Sequence, residues 1–306
     1  MATITLGDSG IDQRQETLLV GEVVTFNSSL IEIQSADGSV FRVTGTFDAG
    51  GNGTITGYAF YMAGGAVQFE VSGLNLSTVD YYTYANQGDI SGLFGFAFGG
   101  ADYLNGGSGN DVLIDTQGSD QVFGNAGTDT LVLDSSFAES LIDLLEDGTV
   151  SVSHSGETDL LEGIERLLFS DQMALAFDIE GIAGQAYRIY QAAFDRAPDQ
   201  TGLGYWISQM DGGMLIEEVA ARFIDSDEFR SLYGDNVDSE AFLTAVYNNV
   251  LHRDPDQGGL EWWLNEMTQG NHDYVSVLAG FSESAENQLQ VSGQIADGIE
   301  FSFWGT

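Results

Sequence analysis

From Ala97 to Val132 the chain reads AFGGADYLN, GGSGNDVLI, DTQGSDQVF and GNAGTDTLV, which are four units of nine residues without a gap. Each unit carries an aspartate, with a glycine two residues before it and an apolar residue two residues after it. The aspartates are Asp102, Asp111, Asp120 and Asp129. Glycine permits the positive φ of a tight turn, and the three residues that follow suit a short strand with one inward side chain. The spacing therefore predicts a coil in which every unit reverses the chain.

In such a coil each unit stacks on the next but one, with strands about 4.8 Å apart. Asp102 then lies over Asp120 on one edge, and Asp111 lies over Asp129 on the other. Two carboxylates at that distance repel each other by roughly 3 kcal/mol at an effective dielectric constant of 20. A divalent cation removes this repulsion, and donors that are all oxygen favour Ca²⁺ over Zn²⁺. The alternative is a series of glycine-rich turns that binds nothing.

The repeat resembles the hemolysin-type calcium-binding nonapeptide of RTX proteins, G-G-x-G-x-D-x-U-x, and the second unit matches it at every position. The resemblance implies a parallel β-roll that binds Ca²⁺ in an extracellular, secreted protein. It also implies export by a type I secretion apparatus, with an uncleaved signal at the C-terminus. The candidate calcium ligands are Gly106, Gly107, Ser108, Gly109, Asp111, Gly124, Ala126, Gly127, Asp129, Asp102 and Asp120.

The two edges of the predicted roll differ in their glycine content. The edge with Asp111 and Asp129 keeps nearly the full turn pattern. On the other edge, Ala97-Phe98 and Asp115-Thr116 replace the paired glycines, so the backbone is less free to turn its carbonyl groups inward. We therefore expect a weaker or empty site at Asp102 and Asp120, although Asp115 offers that edge an extra carboxylate.

Composition narrows the class of protein. The chain has 306 residues and a formal net charge of −39, so nucleic acids and anionic membranes are poor partners. Its eight basic residues are all arginine, and it contains no cysteine, which excludes disulfides and thiolate metal sites. No apolar run is long enough for a transmembrane segment, and the first residues lack the features of a secretory signal peptide.

The segments around the repeats predict a multidomain α+β protein. Residues 1–96 alternate apolar and polar positions in short runs, as in an antiparallel β-domain. Residues 97–132 form the calcium-binding β-roll. Residues 133–180 resemble the strand-rich cap that follows such repeats, and we interpret the run from Asp159 to Asp171 as core strand. A cap is needed because a parallel coil ends in exposed backbone hydrogen-bonding groups.

Residues 181–306 predict an all-α domain built from two copies. YRIYQAAFDRAPDQTGLGYW from Tyr187 matches the region around YNNVLHRDPDQGGLEWW from Tyr247, with a constant offset of 57. Proline stops the first helix of each copy, and Asp199 or Asp256 can cap the next helix. The repeat resembles a domain of unknown function found in secreted bacterial proteins, and its motif is also similar to phycobilisome linker domains.

These observations favour a secreted calcium-binding protein that acts as a binding or structural component of the cell surface or matrix. The alternatives are a secreted glycan-active enzyme and a surface-layer component. The sequence offers no catalytic motif, so we assign no catalytic residue. Packing and capping account for the arginine, proline, aspartate, glycine and tryptophan of the helical repeat. The alternative is a groove for extracellular polysaccharide lined by Trp206, Trp262 and Trp263. Residues 295–306 resemble RTX termini and are the candidate export signal, with a terminal strand as the alternative.

Overall fold

The computed structural model describes residues 3–6, 22–87, 96–235 and 237–304. The chain divides into two compact units, Met1–Asp171 and Gln172–Thr306. The first unit is built mainly from strands and the second mainly from helices. This arrangement is the α+β class that the sequence predicts.

The first unit begins with an antiparallel meander. Its strands are β1 (Thr3–Leu6), β2 (Glu22–Phe26), β3 (Leu30–Gln34), β4 (Val40–Phe47), β5 (Gly53–Tyr61) and β6 (Val67–Ser77). Strands β2 to β6 pair with their sequence neighbours, and β1 pairs antiparallel with β6. Alternate residues such as Ile55, Val71 and Leu76 are buried, which is the period-2 pattern of a sheet with one covered face.

A helix that the sequence analysis did not predict follows the meander. Helix α1 (Thr78–Gln87) packs against β5 and β6. Most of its residues, TVDYYTYANQ, have low intrinsic helix propensity, so propensity alone does not predict the helix. The available signal was the N-terminal pattern Ser77-x-x-Asp80, in which the Asp80 amide donates to the Ser77 hydroxyl at 3.1 Å.

The nonapeptides form the coil that their spacing predicts. Its strands are β7 (Tyr103–Asn105), β8 (Val112–Ile114), β9 (Gln121–Phe123) and β10 (Thr130–Val132). β7 pairs parallel with β9, and β8 pairs parallel with β10, so each unit stacks on the next but one. The inward residues are fully buried, and they are Leu104, Leu113, Val122 and Leu131.

The β-roll and the N-terminal meander share one sheet. β1 pairs parallel with β7, in register from Thr3 opposite Tyr103 to Thr5 opposite Asn105. The N-terminal strand therefore covers the first coil of the roll, whose backbone groups would otherwise form an open edge. Local sequence patterns carry no signal for this pairing, because the two strands are far apart in the chain.

The segment after the repeats adds a last coil to the roll. Its strands are β11 (Leu141–Leu144), β12 (Val150–His154), β13 (Glu157–Glu162) and β14 (Arg166–Leu168). β11 and β12 form a hairpin, and β12 pairs antiparallel with β13. β13 then pairs parallel with β9, and β14 pairs parallel with β10. The strand-rich cap is thus partly a continuation of the coil, with the hairpin inserted into it.

The second unit contains eight helices and two strands among its described residues. The elements are β15 (Met173–Ala176), α2 (Ile182–Phe194), α3 (Gln200–Asp211), α4 (Ile216–Ile224), α5 (Asp227–Tyr233), α6 (Ser239–Leu251), α7 (Gln257–Gln269), α8 (Tyr274–Ser282), α9 (Ala285–Ile295) and β16 (Ile299–Ser302). Among the described residues, no helix has the length and apolarity needed to span a bilayer. β15 and β16 pair antiparallel.

The helices repeat as two sets of four, α2–α5 and α6–α9. The first helix of each set ends at a left-handed residue, Asp195 (φ 50°) or His252 (φ 51°). The second helix of each set begins at the predicted cap, where Asp199 accepts from the Gly202 amide and Asp256 accepts from the Gly259 amide. The duplication inferred from the constant offset therefore extends to the helix ends.

Residues 295–304, the described part of the candidate export signal, take part in the fold of this unit. Strand β16 pairs with β15, and its Ile299 and Phe301 are buried. A Cβ on Gly204 of α3 would lie 1.8 Å from the Ser302 carbonyl oxygen, so this glycine lets the strand contact the helix backbone. The Trp304 ring packs edge-on against Tyr205 with centroids 5.5 Å apart. The terminal strand is therefore present, and a signal function for it stays a prediction.

We expect residues 172–306 to fold without calcium, because this unit buries its own apolar faces and its described residues form no stacked acid ladder. A fragment with these bounds keeps both β15 and β16, whereas a fragment from residue 178 loses the partner strand of β16. Circular dichroism in EDTA should show a helical spectrum with a cooperative melt for the longer fragment and a lower melting temperature for the shorter one. A coil spectrum for the longer fragment would contradict the prediction.

Candidate calcium site

The first edge of the roll consists of the turns 106–111 and 124–129, and we call it the Asp129 edge. Here the Asp111 amide donates to Oδ1 of Asp129 at 2.7 Å. The Asp129 amide in turn donates to Oε2 of Glu165 at 2.8 Å. Asp129 and Glu165 therefore each accept a hydrogen bond from the backbone of the preceding coil. The result is a ladder of three acids, Asp111, Asp129 and Glu165.

The opposite edge contains the turns 97–102 and 115–120, and we call it the Asp120 edge. The Asp102 amide donates to Oδ1 of Asp120 at 2.8 Å, and the Asp120 amide donates to Oδ1 of Asp159 at 2.8 Å. This ladder also has three acids, and all of them are buried. Asp159 comes from β13, so the cap supplies the last rung on this edge, as it does with Glu165 on the other.

Burial of these carboxylates disfavours their charged forms. Burial, opposed by the hydrogen bond from the Asp111 amide, raises the pKa of Asp129 to about 6. Burial likewise raises the pKa of Asp120 to about 6, with the charges of Asp159 and Asp102 acting in the same direction. Oδ2 of Asp129 is buried and has no hydrogen-bond partner. The Asp129 edge therefore presents a buried carboxylate oxygen that has no partner.

The residues present fit a bound Ca²⁺. Calcium takes six to eight oxygen ligands from carboxylates and backbone carbonyl groups in a flexible geometry. Both edges offer stacked carboxylates beside glycine-rich turns, and the unpartnered Asp129 Oδ2 is an oxygen of the required kind. Calcium bound here would supply the positive charge that the two ladders need to remain ionised and folded.

The glycines proposed as ligands also allow the turns to approach each other. A Cβ on Gly106 would lie 2.6 Å from the Gly124 carbonyl oxygen, and one on Gly124 would lie 1.9 Å from that of Gly163. Gly127 has φ 135°. The Gly107 amide donates to Oδ2 of Asp111 at 2.6 Å. Gly106, Gly107 and Gly124 therefore have structural roles in the turns, and their carbonyl groups stay predicted calcium ligands. Ser108 and Ala126 are exposed on the same turns, where Gly109 also lies.

The Asp120 edge contains a cluster of three carboxylates, one of which belongs to Asp115, the extra acid noted in the sequence. One carboxylate oxygen from each of Asp115, Asp120 and Asp159 lies within 4.8 Å of the others. Burial, followed by the charges of Asp159 and Asp120, raises the pKa of Asp115 to about 8. The buried His154 lies beside the same carboxylates, with Nε2 at 3.1 Å from Oδ2 of Asp159. The extra carboxylate therefore lies beside the ladder acids, and a weaker or empty calcium site at this edge stays a prediction.

Asp159 and Glu165 are site residues that the sequence analysis assigned to core strand. The sequence contains a pattern that identifies them. Each acid stands two residues before an inward, buried leucine, Leu161 or Leu167, which repeats the D-x-U spacing of the nonapeptides. The inserted hairpin breaks the nine-residue register and conceals this continuation. His154 has no comparable signal, because only the pairing of β12 with β13 brings it to the site.

The structure places the three candidate tryptophans in two clusters. Trp206 packs edge-on against Phe223 with ring centroids 4.9 Å apart. Trp262 and Trp263 pack against each other, with centroids 4.7 Å apart, and both lie near His272. Of the ring contacts among the described residues, none joins Trp206 to the other two. Trp262 is 51% exposed and is the member of the set that is open to a ligand.

Comparison with known families agrees with this geometry. Residues 96–131 match the RTX calcium-binding nonapeptide repeat, in four copies. Residues 220–291 match DUF4214, a domain of unknown function. The chain therefore carries calcium-binding RTX repeats, and such repeats indicate a secreted calcium-binding protein. The similarity to phycobilisome linkers is not supported by a match.

No curated protein matches the chain. Among solved structures, the crystal structure of extracellular lipase LipA from Serratia marcescens is similar over 23% of this chain and 13% of that chain. The aligned residues are 21% identical, and the TM-score is 0.15. The chain therefore spans only a small part of the lipase, and its activity is not carried over.

The raised carboxyl pKa values predict how the metal-free protein responds to pH. An acid whose pKa is higher in the folded state stabilises the fold below its unfolded value and loses that effect as pH rises through the folded value. In metal-free buffer, stability should therefore fall from about pH 4 through 6, and further toward 8 as Asp115 ionises. The loss is at most about 3 kcal/mol for each of Asp120 and Asp129.

Circular dichroism of the metal-free chain between pH 4 and pH 8 measures this effect as the fraction of the roll that is folded. Asp129→Asn is the control, because it removes one titrating carboxyl while keeping the shape of the side chain. Its folded fraction should depend less on pH than that of the unchanged protein. Equal pH dependence of stability in both proteins would show that burial of Asp129 does not cause the loss of stability at higher pH.

Proposed function

We propose that the protein acts outside the cell as a calcium-stabilised binding or structural component of the cell surface or matrix. The observation that carries this proposal is the pair of buried carboxylate ladders on the two edges of the roll. Extracellular calcium modules have dissociation constants of about 10⁻⁴ to 10⁻³ M, which cytosolic calcium does not reach. The roll would therefore stay unfolded during synthesis and fold after export.

The proposal includes export by a type I apparatus, for which RTX repeats are typical. Residues 295–306 are the proposed signal. A chain that lacks them, expressed with a type I exporter, should stay in the cell. Phe301→Ala is the matched control, because it disturbs the buried strand β16 and keeps the length of the tail. Equal loss of export in both variants would indicate that folding of this unit matters rather than a signal.

Polysaccharide is the proposed ligand class, and the exposed Trp262 supports it. A flat aromatic ring that remains half exposed offers an apolar face to a partner. Co-sedimentation with bacterial polysaccharides in calcium should retain the protein, and Trp262→Ala should weaken retention. Leu289→Ala removes a side chain that is 77% exposed in the same unit and serves as the control. Retention equal to that of the unchanged protein in both variants would exclude Trp262 as a contact.

The same incubation with polysaccharide distinguishes the proposed binding role from the two alternative functions. Release of shortened sugars would identify a glycan-active enzyme, and a carboxylate pair among the 47 acids would then be sought. Sheets or gels that form only with calcium would identify a surface-layer component. Retention without turnover or assembly is the result that the proposed binding role predicts.

A further inference from the structure

A second group of side chains meets beside the Asp120 edge, and it includes a nitrogen donor. One atom from each of Asp115, Asp134 and His154 lies within 4.8 Å of the other two. The three residues come from different segments, namely the turn after β8, the loop after β10, and the end of β12. His154 and Asp115 have side chains that are each only 2% exposed. Acidic clusters are common on this chain, so the cluster alone does not define a site.

The imidazole of His154 supplies an independent observation. Its Nε2 lies 3.1 Å from Oδ2 of Asp159 and 3.2 Å from Oδ2 of Asp115, two acceptors that place the ring proton on this nitrogen. Its Nδ1 is buried and has no hydrogen-bond partner. Oδ1 of Asp115 is also buried without a partner. A lone pair on a buried nitrogen that nothing satisfies is costly in a folded protein.

The unpartnered nitrogen faces a third carboxylate. Nδ1 of His154 lies 3.8 Å from Oδ1 of Asp134, which is too far for a hydrogen bond. Two ligands of one zinc ion, each bonded at about 2.0–2.1 Å in tetrahedral geometry, lie about 3.3–3.4 Å apart. A small movement of Asp134 closes the difference, and its side chain is free to move because it is 79% exposed. The exposed side also gives an ion a route to the site.

We propose that His154, Asp115 and Asp134 bind a divalent transition metal of the zinc type, in addition to the calcium held by the roll. The imidazole decides the class of metal, because nitrogen ligands suit zinc, whereas calcium is bound through oxygen. Asp159 is a positioning residue, since its carboxylate accepts from the other ring nitrogen, as in the carboxylate–histidine–metal arrangement of zinc sites. The inference goes beyond the proposed function and is independent of the export route and of any polysaccharide ligand.

The experiment titrates the full-length, calcium-saturated protein with Zn²⁺ by calorimetry and with Co²⁺ by visible absorption. Loss of a partner outside the ligand set alone weakens metal binding by about 10–100-fold. His154→Gln and Asp134→Asn should therefore each weaken Zn²⁺ binding by about 100-fold or more. His252→Asn is the control, because it removes an exposed histidine in a left-handed position that asparagine tolerates. Its Zn²⁺ affinity should be unchanged.

Asp134→Asn separates this proposal from the calcium ladders. Asp134 belongs to neither ladder and is exposed, so this variant should fold with calcium as the unchanged protein does. Zn²⁺ binding to the unchanged protein that is no tighter than to His154→Gln would overturn the proposal, and His154 would then serve only to join Asp115 and Asp159 by hydrogen bonds. Displacement of Zn²⁺ by excess Ca²⁺ would overturn it as well, because the cluster would be a further calcium site.

Discussion

Removing calcium should unfold the β-roll and leave the helical unit folded. Bound calcium stabilises the roll by RT ln(1 + [Ca²⁺]/Kd), which is about 2.7 kcal/mol for each site when calcium is at 100 times Kd. For two sites, one on each edge, the melting temperature of the first unit should fall by roughly 10–20 °C in chelator. The buried carboxylates of Asp120 and Asp129 then lack a counter-charge, so the metal-free roll is the less stable form.

Hydrogen exchange resolved by segment, with and without chelator, is the measurement. Amides of β7 to β10 should exchange rapidly without calcium, while those of α2 and α6 should remain protected. Mg²⁺ is the control ion, because it demands a smaller octahedral shell and should not restore protection. Protection of the roll that persists in chelator would show that the apolar coil core is sufficient by itself.

The repeat register predicted the roll correctly because two local features repeat together. Glycine sets where the chain turns, and the residue two after each aspartate sets what faces inward. Leu104 and Val122 stack in one sheet, and Leu113 and Leu131 stack in the other, as the spacing requires. The helix caps at Asp199 and Asp256 were predictable for a related reason, since capping depends only on residues within one turn.

The features that the sequence did not reveal depend on contacts between distant segments. Strand β1 pairs with β7, although most of the N-terminal segment lies between them in the sequence. Nothing in Thr3–Leu6 specifies that partner. His154 reaches Asp115 because β12 pairs with β13 and β13 pairs with β9. The ranking of the two edges stays a prediction, and it was argued from the residues within each turn. It did not include Asp159, which stacking brings to the Asp120 edge.

The two ladders explain why an acidic chain can form a compact coil at all. The second and third rungs of each ladder accept from the amide of the preceding rung, so one oxygen of each of these four acids is fixed by the backbone and the ladder has a defined spacing. Like charges held at that spacing repel each other, so the same hydrogen bonds that order the ladder also create its need for a cation. We therefore expect folding of the roll to be coupled to calcium binding.

A glycine substitution should show whether the turns need glycine because of the repeat pattern or because stacked turns approach each other closely. Gly100 and Gly118 occupy the same position in the first and third nonapeptides, two residues before the aspartate. Gly118 has φ 131°, and a Cβ there would lie 2.0 Å from the Gly100 carbonyl oxygen. A Cβ on Gly100 meets nothing within 4 Å. Backbone strain and overpacking each cost about 1–3 kcal/mol, so Gly118→Ala should destabilise the roll by about 3–5 kcal/mol.

Gly100→Ala is the matched control and should cost less than about 1 kcal/mol, since its methyl group enters open space. Urea unfolding in saturating calcium gives both free energies, and a calcium titration followed by circular dichroism gives the folding midpoints. Gly118→Ala should need much more calcium to fold, because strain in the turn is offset only by a larger excess of bound ion. Equal costs for the two variants would mean that the repeat pattern, and not the close approach of stacked turns, sets the requirement for glycine.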